Sequence, residues 1–296
     1  MTSFKLNTYL MCILLFIPGH IQANTLKAAV LKNENFQKRY NEVLGSLSPL
    51  EIENFKPTSD GSHLEIIEMI ILQQALHLGG LKEPIIFEPH DMANLGEIAP
   101  IVDGTILMFG RSMWLQTSVD YQGSLYISEP VIKYGEFEAG LYYNIANKDL
   151  KDIKIDALSE FKIVANPRWL ADWRALLNSP MTMVNFIGPW ENMIAMLDAN
   201  IVDLMLVNFS VSNDLNMIFK DKLYQPINNL KIVLPDSRHF VVSKRHPRGK
   251  EVFEALQKGL TIMRKLGKIR KLYEQAGVMN SKVKNWDIIN KQMLVL

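Results

Sequence analysis

Residues 103–114, which read DGTILMFGRSMW, decide the fold of this chain. A glycine turn stands directly before an apolar strand, Thr105 to Phe109, and polar and aromatic residues follow where that strand ends. Residues just beyond the carboxyl end of a buried strand are those that open α/β sheets present to ligands. Further on, Ser128-Glu129-Pro130 leads into an extended, tyrosine-rich stretch that reaches Asn144. The pattern therefore predicts a sheet edge with a binding site, followed by a change of architecture.

Strands and helices alternate around this stretch. Leu64 to Leu78 carries apolar residues at the 3.6-residue spacing of a helix, which ends at Gly79-Gly80. The neighbouring predicted elements are strands at Ile52 to Pro57 and Pro84 to Phe87 and a helix at Asn94 to Ile101. Strand and helix in turn are typical of a parallel sheet with helical crossovers.

A second alternation follows Asn144. Its predicted elements are a strand at Phe161 to Val164, helices at Trp169 to Leu177 and Trp190 to Ala199, and a strand at Val202 to Val207. The chain then returns through strands at Lys231 to Leu234 and Phe240 to Ser243 and closes with a helix at Gly249 to Gly277.

The two alternations predict an α/β fold of two lobes, each with a mixed sheet flanked by helices. Lobe 1 is expected to hold residues 24–135 and 236–296, lobe 2 residues 136–235, and two strand crossings form the hinge. A chain of this length exceeds the usual size of one compact domain. The expected ligand site is the cleft between the lobes, at the carboxyl ends of both sheets.

The first 23 residues predict the compartment. Lys5 precedes an apolar segment of about 10 residues, and Ile21-Gln22-Ala23 ends on a small residue, as in a cleaved secretory signal. That segment is well short of the roughly 20 residues of a membrane span. We therefore expect a periplasmic protein; an uncleaved anchor is the alternative.

Cysteine and charge exclude several classes of function. Cys12 lies in the signal, so a mature chain would have no cysteine for a disulfide, a thiolate nucleophile or a metal. The 32 Lys and Arg residues nearly match the 31 Asp and Glu residues. This balance argues against a nucleic-acid partner or an anionic membrane surface.

From Ile52 to Gly277 the chain resembles the type II periplasmic solute-binding proteins of the polar amino acid transporter class. The resemblance lies in the order and spacing of short motifs: Asp60-Gly61 before a long helix, Asp103-Gly104 before a strand, Ser128-Glu129-Pro130, the segment Leu197 to Asp203, and the closing helix from Gly259-Leu260 to Gly277. It implies a protein that closes around a small solute by hinge motion, with an ABC-type permease as a partner in the inner membrane.

Two departures from that family bear on the ligand. Amino-acid-binding members carry an arginine about seven residues before the serine of the motif, and this position is Tyr121 here. They also carry an aspartate about five residues beyond the position of Asp203, and this position is Asn208 here. The resemblance therefore implies a ligand other than an ordinary α-amino acid, such as another small polar or aromatic solute.

Candidate ligand contacts come from both predicted lobes. Arg111 and Ser112 follow the strand that ends at Phe109, and Trp114 is close behind them; the arginine could bind an anionic group and the indole a ring or sugar face. The alternative for Arg111 is a loop arginine paired with a surface acid. In lobe 2 the candidates are the residues at a strand end and helix start, where free backbone amides favour an anion; they are Asn166, Arg168 and Trp169, with Asn208 from the next strand. For Trp169, a helix packing face shared with Trp173 is the alternative.

No motif for catalysis, a cofactor or a metal is found, and we expect a monomeric binding protein without a cofactor. Two alternatives remain beside transport. One is a free-standing sensor or orphan binder that presents its ligand to another protein. The other is a cleft enzyme resembling cyclohexadienyl dehydratase, with Glu129 as the carboxylic acid. Fold alone does not separate binder from enzyme.

Overall fold

The structure, a computed structural model, describes residues 26–32, 34–57, 63–90 and 98–294. The predicted signal peptide and part of the predicted helix from Asn94 lie outside the described residues. The strands are β1 (Leu26–Leu31), β2 (Ile85–His90), β3 (Met108–Phe109), β4 (Met113–Trp114), β5 (Leu125–Ile132), β6 (Glu138–Asn144), β7 (Lys162–Ala165), β8 (Thr182–Asn185), β9 (Leu204–Asn208), β10 (Met217–Phe219), β11 (Lys222–Pro226), β12 (Leu230–Val233), β13 (Arg238–Ser243) and β14 (Asp287–Ile288). The helices are α1 (Glu34–Leu44), α2 (Leu64–Gly79), α3 (Ala99–Asp103), α4 (Leu115–Val119), α5 (Leu170–Leu177), α6 (Trp190–Asp198), α7 (Gly249–Lys265) and α8 (Lys268–Gln275).

The strands form two separate mixed sheets, which confirms the predicted two-lobed α/β fold. The first sheet has the order β2-β1-β3-β13-β4, with β5 paired to β13. The second has the order β10-β11-β6-β9-β7-β8, with β12 paired to β6 and β14. The parallel pairs of β1 with β2 and of β7 with β8 are joined through helices, as the alternation predicts, whereas β10 and β11 form an antiparallel hairpin.

The chain passes from the first sheet to the second through residues 133–137, between β5 and β6, and returns through residues 234–237, between β12 and β13. It then crosses a third time. After α8 it reaches β14, which runs parallel to β12 in the second sheet. Lys231 of β12 is buried and fastens this last segment by donating hydrogen bonds to the carbonyl oxygens of Val283 and Lys284, at 2.8 and 3.1 Å. This departs from the predicted division, which assigns all of 236–296 to lobe 1.

Helices α2 and α7 pack so closely that glycine is required at the contact. A Cβ atom on Gly79 would overlap the backbone of Ala255, and one on Gly259 would overlap the backbone of Ala75. Residues 66–72 of α2 are buried without interruption, because the helix lies between the first sheet and α7. Any residue with a side chain at Gly79 or Gly259 would push the two helices apart.

Three local predictions differ from the structure. The strand predicted at Ile52 to Pro57 is wrong: side chains bond its backbone, with Gln74 donating to the Ile52 carbonyl and Phe55 N–H donating to Gln275, both at 2.8 Å. The long closing helix is divided at Gly267, whose φ of +68° separates α7 from α8. Strand β1 was not predicted, although it lies inside the first sheet, between β2 and β3. In the described part of the chain, no helix combines the length and apolar character that a bilayer crossing requires.

Candidate functional site

The ends of the parallel strands in both sheets point toward the hinge. Strand β3 runs antiparallel to β13, with Met108 opposite Val242, so β3 ends on the side where β13 begins at Arg238. In the second sheet the last residue of β9, Asn208, pairs with Ala139 near the start of β6, and β7 and β8 run parallel to β9. The two sets of strand ends therefore lie beside the crossings and form the walls of a cleft.

The wall from the first lobe is built on a buried charge network. The Arg238 side chain is 7% exposed, and its Nε lies 3.4 Å from Oε1 of the fully buried Glu68. Arg238 also donates to the hydroxyl and the carbonyl oxygen of Ser112, at 2.9 and 2.8 Å. Glu68 in turn accepts bonds from the backbone N–H and hydroxyl of Ser112 and from the Tyr273 hydroxyl. A buried ion pair persists only with such additional hydrogen bonds, so the network fixes Arg238 in place.

Trp114 covers this network on the cleft side of the sheet. The guanidinium carbon of Arg238 lies 4.7 Å from the centre of the Trp114 ring, within cation–π range. Phe137, in the first crossing, meets the same ring edge-on at 5.3 Å. Trp114 is thus held between the first lobe and the hinge.

A second charge pair stands at the start of α2. Arg111 Nε lies 3.7 Å from Oε1 of Glu65, and both side chains are about 30% exposed. Burial raises the pKa of Glu65, and the Arg111 guanidinium opposes that rise. The pair therefore places both signs of charge beside the deeper pair of Glu68 and Arg238.

The wall from the second lobe is the junction of β7 and α5. The side-chain oxygen of Asn166 accepts the backbone N–H of Arg168 at 3.0 Å, which shapes the turn into the helix. Trp169 precedes the helix, and Asp172 lies in its first turn. Burial raises the pKa of Asp172 to about 6, against the opposing effect of Arg238 from the other lobe. Asp172 is partly exposed, and its carboxylate also accepts a hydrogen bond from its own backbone N–H.

Two residues further along α5, Arg174 contacts the first lobe directly. It donates to the side-chain oxygen of Gln116 in α4 at 2.7 Å. The backbone N–H of Gln116 also points to Asp236 of the second crossing, at 3.4 Å. The walls are therefore joined at the hinge side of the cleft.

The structure brings most of the predicted site residues to these walls. Arg111 and Trp114 lie on the first wall, and the second carries Asn166, Arg168, Trp169 and, at the end of β9, Asn208. Arg168 is exposed, and Trp169 is 36% exposed. Ser112 is fully buried between Glu68 and Arg238, so it positions the arginine. Their contacts with a ligand remain predictions.

Tyr121 lies elsewhere. It is in the turn before β5, where its carbonyl oxygen accepts the Leu125 N–H at 3.0 Å, and Leu125 pairs with Ser243 at the far end of β13. The hinge is at the other end of both strands. Tyr121 is therefore not brought to the cleft. Counting seven residues back from Ser128 selects a position in the turn at residues 120–124, outside the site.

Arg238, His239 and Glu129 have defined contacts in the structure. Arg238 and His239 are buried, although the sequence places them near a basic cluster. His239 bridges the Ser237 hydroxyl and the Ser128 carbonyl, at 2.8 and 2.6 Å, and burial lowers its pKa. Glu129 faces α7, where its carboxylate lies 3.6 Å from Arg264. It therefore does not supply the cleft acid considered above. The carboxylates near the cleft are Glu65, Glu68 and Asp172; Glu65 and Asp172 lie in the first turns of α2 and α5, and Glu68 lies one turn further into α2.

Comparison with known proteins identifies the architecture. No protein-family model and no curated protein matches the sequence. The periplasmic VFT2 domain of BvgS from Bordetella pertussis matches 86% of this chain and 93% of its own, at 16% identity and a TM-score of 0.53. The chain has the type II periplasmic-binding-protein fold.

A second structure with this periplasmic-binding-protein fold comes from Streptococcus pneumoniae. It is the second substrate binding domain of a protein assigned to amino acid ABC transporters. The match covers 85% of this chain and 99% of that one, at 14% identity and a TM-score of 0.50. Among the described residues, no group of three or more His, Cys, Asp or Glu side chains is arranged to hold a metal ion.

Proposed function

We propose that this protein is an extracytoplasmic solute-binding protein, which captures a small polar or aromatic solute between its lobes by hinge closure. The observation that carries the proposal is the cleft itself. Aromatic and charged side chains converge there from both lobes: Trp114 and Arg238 from the first, Trp169 and Asp172 from the second. A ligand that contacts both walls at once shifts the population toward the closed form.

Delivery of the solute to an ABC-type permease is the physiological role we propose. The Streptococcus pneumoniae domain with the same fold supports it, because its own name is that of a substrate binding domain of such a system. The secretory pattern of residues 1–23 supports a periplasmic location. The alternative role, a free-standing sensor, differs only in the protein that would receive the closed form, which would be a signalling partner instead of a permease.

A thermal-shift screen of the mature chain tests the proposal. The panel contains amines, amino acids, organic acids, sugars and aromatic metabolites, and a true ligand at 100 times its Kd adds about 2.7 kcal/mol of stability. Closure is then measured by small-angle scattering, which should report a smaller radius of gyration with each stabilising compound. A panel without a single shift contradicts the proposal. Mass spectrometry of the recovered ligand separates binding from catalysis, since an altered compound would establish an enzyme.

A further inference from the structure

The end of the chain contacts both lobes and the hinge. We call residues 276–294 the carboxyl-terminal strap. It starts after α8, which is fixed in the first lobe because the Tyr273 hydroxyl donates to Glu68 at 3.2 Å. The last residue of α8, Gln275, also accepts the Phe55 N–H with its side-chain oxygen, at 2.8 Å. The strap therefore leaves the first lobe from a fixed point.

Residues 276–279 alone separate this point from the second lobe. The Asn280 side chain donates to the carbonyl oxygen of Ser210, in the loop after β9, at 3.2 Å. Gly277 packs on the same loop: its φ is +74°, and a Cβ atom there would overlap the Val211 side chain. Four extended residues span at most about 14 Å. This third connection is thus short and closely packed, and it limits how far the lobes can separate.

The other end of the strap reaches the first crossing, residues 133–137. The Tyr134 hydroxyl donates to the Met293 carbonyl at 2.8 Å. Met293 is held by the second lobe: the side chain of Asn178, just after α5, donates to its sulfur at 2.9 Å, and Gln292 donates to the Asn178 carbonyl at 2.8 Å. Tyr134 lies two residues beyond the end of β5 in the first sheet. The bond therefore joins the first-lobe end of the crossing to the second lobe.

Hinge motion must alter this bond. Residues 133–137 connect β5 of the first sheet to β6 of the second, so their backbone angles change when one lobe rotates against the other. Tyr134 stays close to the first sheet, whereas the Met293 carbonyl moves with the second. The two groups are at bonding distance in the arrangement in which Arg174 also bonds Gln116 across the cleft. The Tyr134 bond therefore stabilises that arrangement.

We infer that the strap holds the lobes in the joined arrangement, through the bond from Tyr134 to Met293 and the short connection at residues 276–279. The inference rests on the hinge motion of the proposed function and adds a contact that sets its equilibrium. A ligand that prefers the closed form binds more tightly when the unliganded protein already favours that form. The strap therefore raises the affinity for the solute without contacting it.

Tyr134→Phe tests the strap without a ligand. The variant loses one neutral hydrogen bond, so the ratio of open to closed molecules should rise about threefold, a difference of about 0.7 kcal/mol. Single-molecule energy transfer in the mature chain, with labels at Lys258 in the first lobe and Glu160 in the second, measures the ratio. Tyr121→Phe is the matched control: Tyr121 is 40% exposed and Tyr134 38%, and the Tyr121 hydroxyl bonds no group among the described residues.

A shortened chain that ends at Asn290 gives an independent test. It lacks Met293 and should open at least as much as Tyr134→Phe does. Adding Tyr134→Phe to it should change nothing further, because the acceptor is already absent. The melting temperature checks that the shortened chain is folded.

Two results overturn the inference while the proposed function stands. One is an equal distribution of distances for Tyr134→Phe and Tyr121→Phe, and the other is an additive effect of Tyr134→Phe in the shortened chain. If Tyr134→Phe opens a protein that no compound of the panel stabilises, the strap is supported and the proposed function is contradicted.

Discussion

Arg174 in the second lobe donates a hydrogen bond to the side chain of Gln116 in the first lobe, at 2.7 Å. The contact joins the two walls of the cleft without a ligand between them. Under the hinge motion proposed above, the donor and the acceptor would move apart as the lobes separate, so the contact would favour the closed arrangement.

Removal of this contact should open the unliganded protein. A hydrogen bond to a charged group contributes about 1.5 kcal/mol or more, so Gln116→Ala should lower the ratio of closed to open forms roughly tenfold. Single-molecule energy transfer between labels at Lys258 in the first lobe and Glu160 in the second measures this ratio. Gln122→Ala, at an exposed glutamine of the first lobe, is the control. Identical distance distributions for both variants would show that the bond does not hold the lobes.

The pair of Glu68 and Arg238 should be critical for stability. Glu68→Gln keeps the shape of the side chain but leaves the buried arginine without its countercharge, and breaking a buried pair in this way costs about 3–5 kcal/mol. Urea unfolding measures the loss. Glu254→Gln is the control, because Glu254 pairs with Lys250 at 3.8 Å on the surface and such a pair contributes about 1 kcal/mol at most. A cost for Glu68→Gln no larger than that of the control contradicts the burial of this network.

Asp172 and His239 should give opposite pH dependences. Burial raises the pKa of Asp172 from 3.8 to about 6, so the folded chain binds more protons than the unfolded chain in that window. Stability from this group is therefore complete below about pH 4 and is lost as the pH rises to about 6. Burial lowers the pKa of His239 from 6.5, so the folded chain binds fewer protons, and stability is lost as the pH falls below 6.5.

Asp172→Asn should accordingly raise the free energy of unfolding of the unliganded protein at pH 7, by about 1–3 kcal/mol. The variant should retain the loss of stability at acid pH that His239 causes. Chemical unfolding at pH 4.5, 6 and 7.5 tests both statements, with Asp156→Asn expected to follow the unaltered protein. A variant that is less stable at pH 7 would show that the charged form of Asp172 is favoured in the fold.

Asn290 should tie the last segment of the chain to the hinge. Its side chain is fully buried, accepts the Val233 N–H at 3.0 Å and donates to the Val233 carbonyl at 2.8 Å, just before the second crossing. Asn290→Ala leaves both backbone groups buried without a partner, which costs about 1–3 kcal/mol for each group. Asn285→Ala, at an exposed position of the same segment, should change the melting temperature little. Equal effects of the two variants would contradict this role.

The contact between α2 and α7 should not accept a side chain at Gly259. Gly259→Ala forces the helices apart, and overpacking of this kind typically costs about 1–3 kcal/mol. Gly123→Ala is the control, since a Cβ atom there meets nothing within 4 Å. Thermal unfolding should show a clear loss only for Gly259→Ala; two equal melting temperatures would contradict the packing.

Most elements of the two sheets, though not their order, were within reach of the sequence because they depend on local patterns. The stripe of α2, the buried strand at β9 and the chain return at β12 and β13 each show in the residues that form them. Strand β14 has no such signal, since two residues carry no periodicity and it pairs with residues of β12 that lie 57 positions earlier in the chain, Leu230 with Asp287 and Lys231 with Ile288.

The chemistry of the cleft was less accessible for a related reason. Arg238 stands before a basic cluster in the sequence, and only the fold places it against Glu68, which lies far earlier in the chain. Asp172 resembles an ordinary acid of a first helical turn, and its sequence neighbours do not indicate that burial raises its pKa. Tyr121 illustrates the converse: a position chosen by spacing carried over from a family lies in the turn before β5, away from the hinge.

The three crossings place the two ends of the described chain on different lobes. Leu26 begins the central strand of the first sheet, and the residues after β14 pack beside α5 of the second lobe, where Gln292 bonds the Asn178 carbonyl at 2.8 Å. A pulling force applied between these ends therefore acts across the groove. It would pry the halves apart before either one unravels, and cargo fused to the carboxyl terminus would travel with the second half.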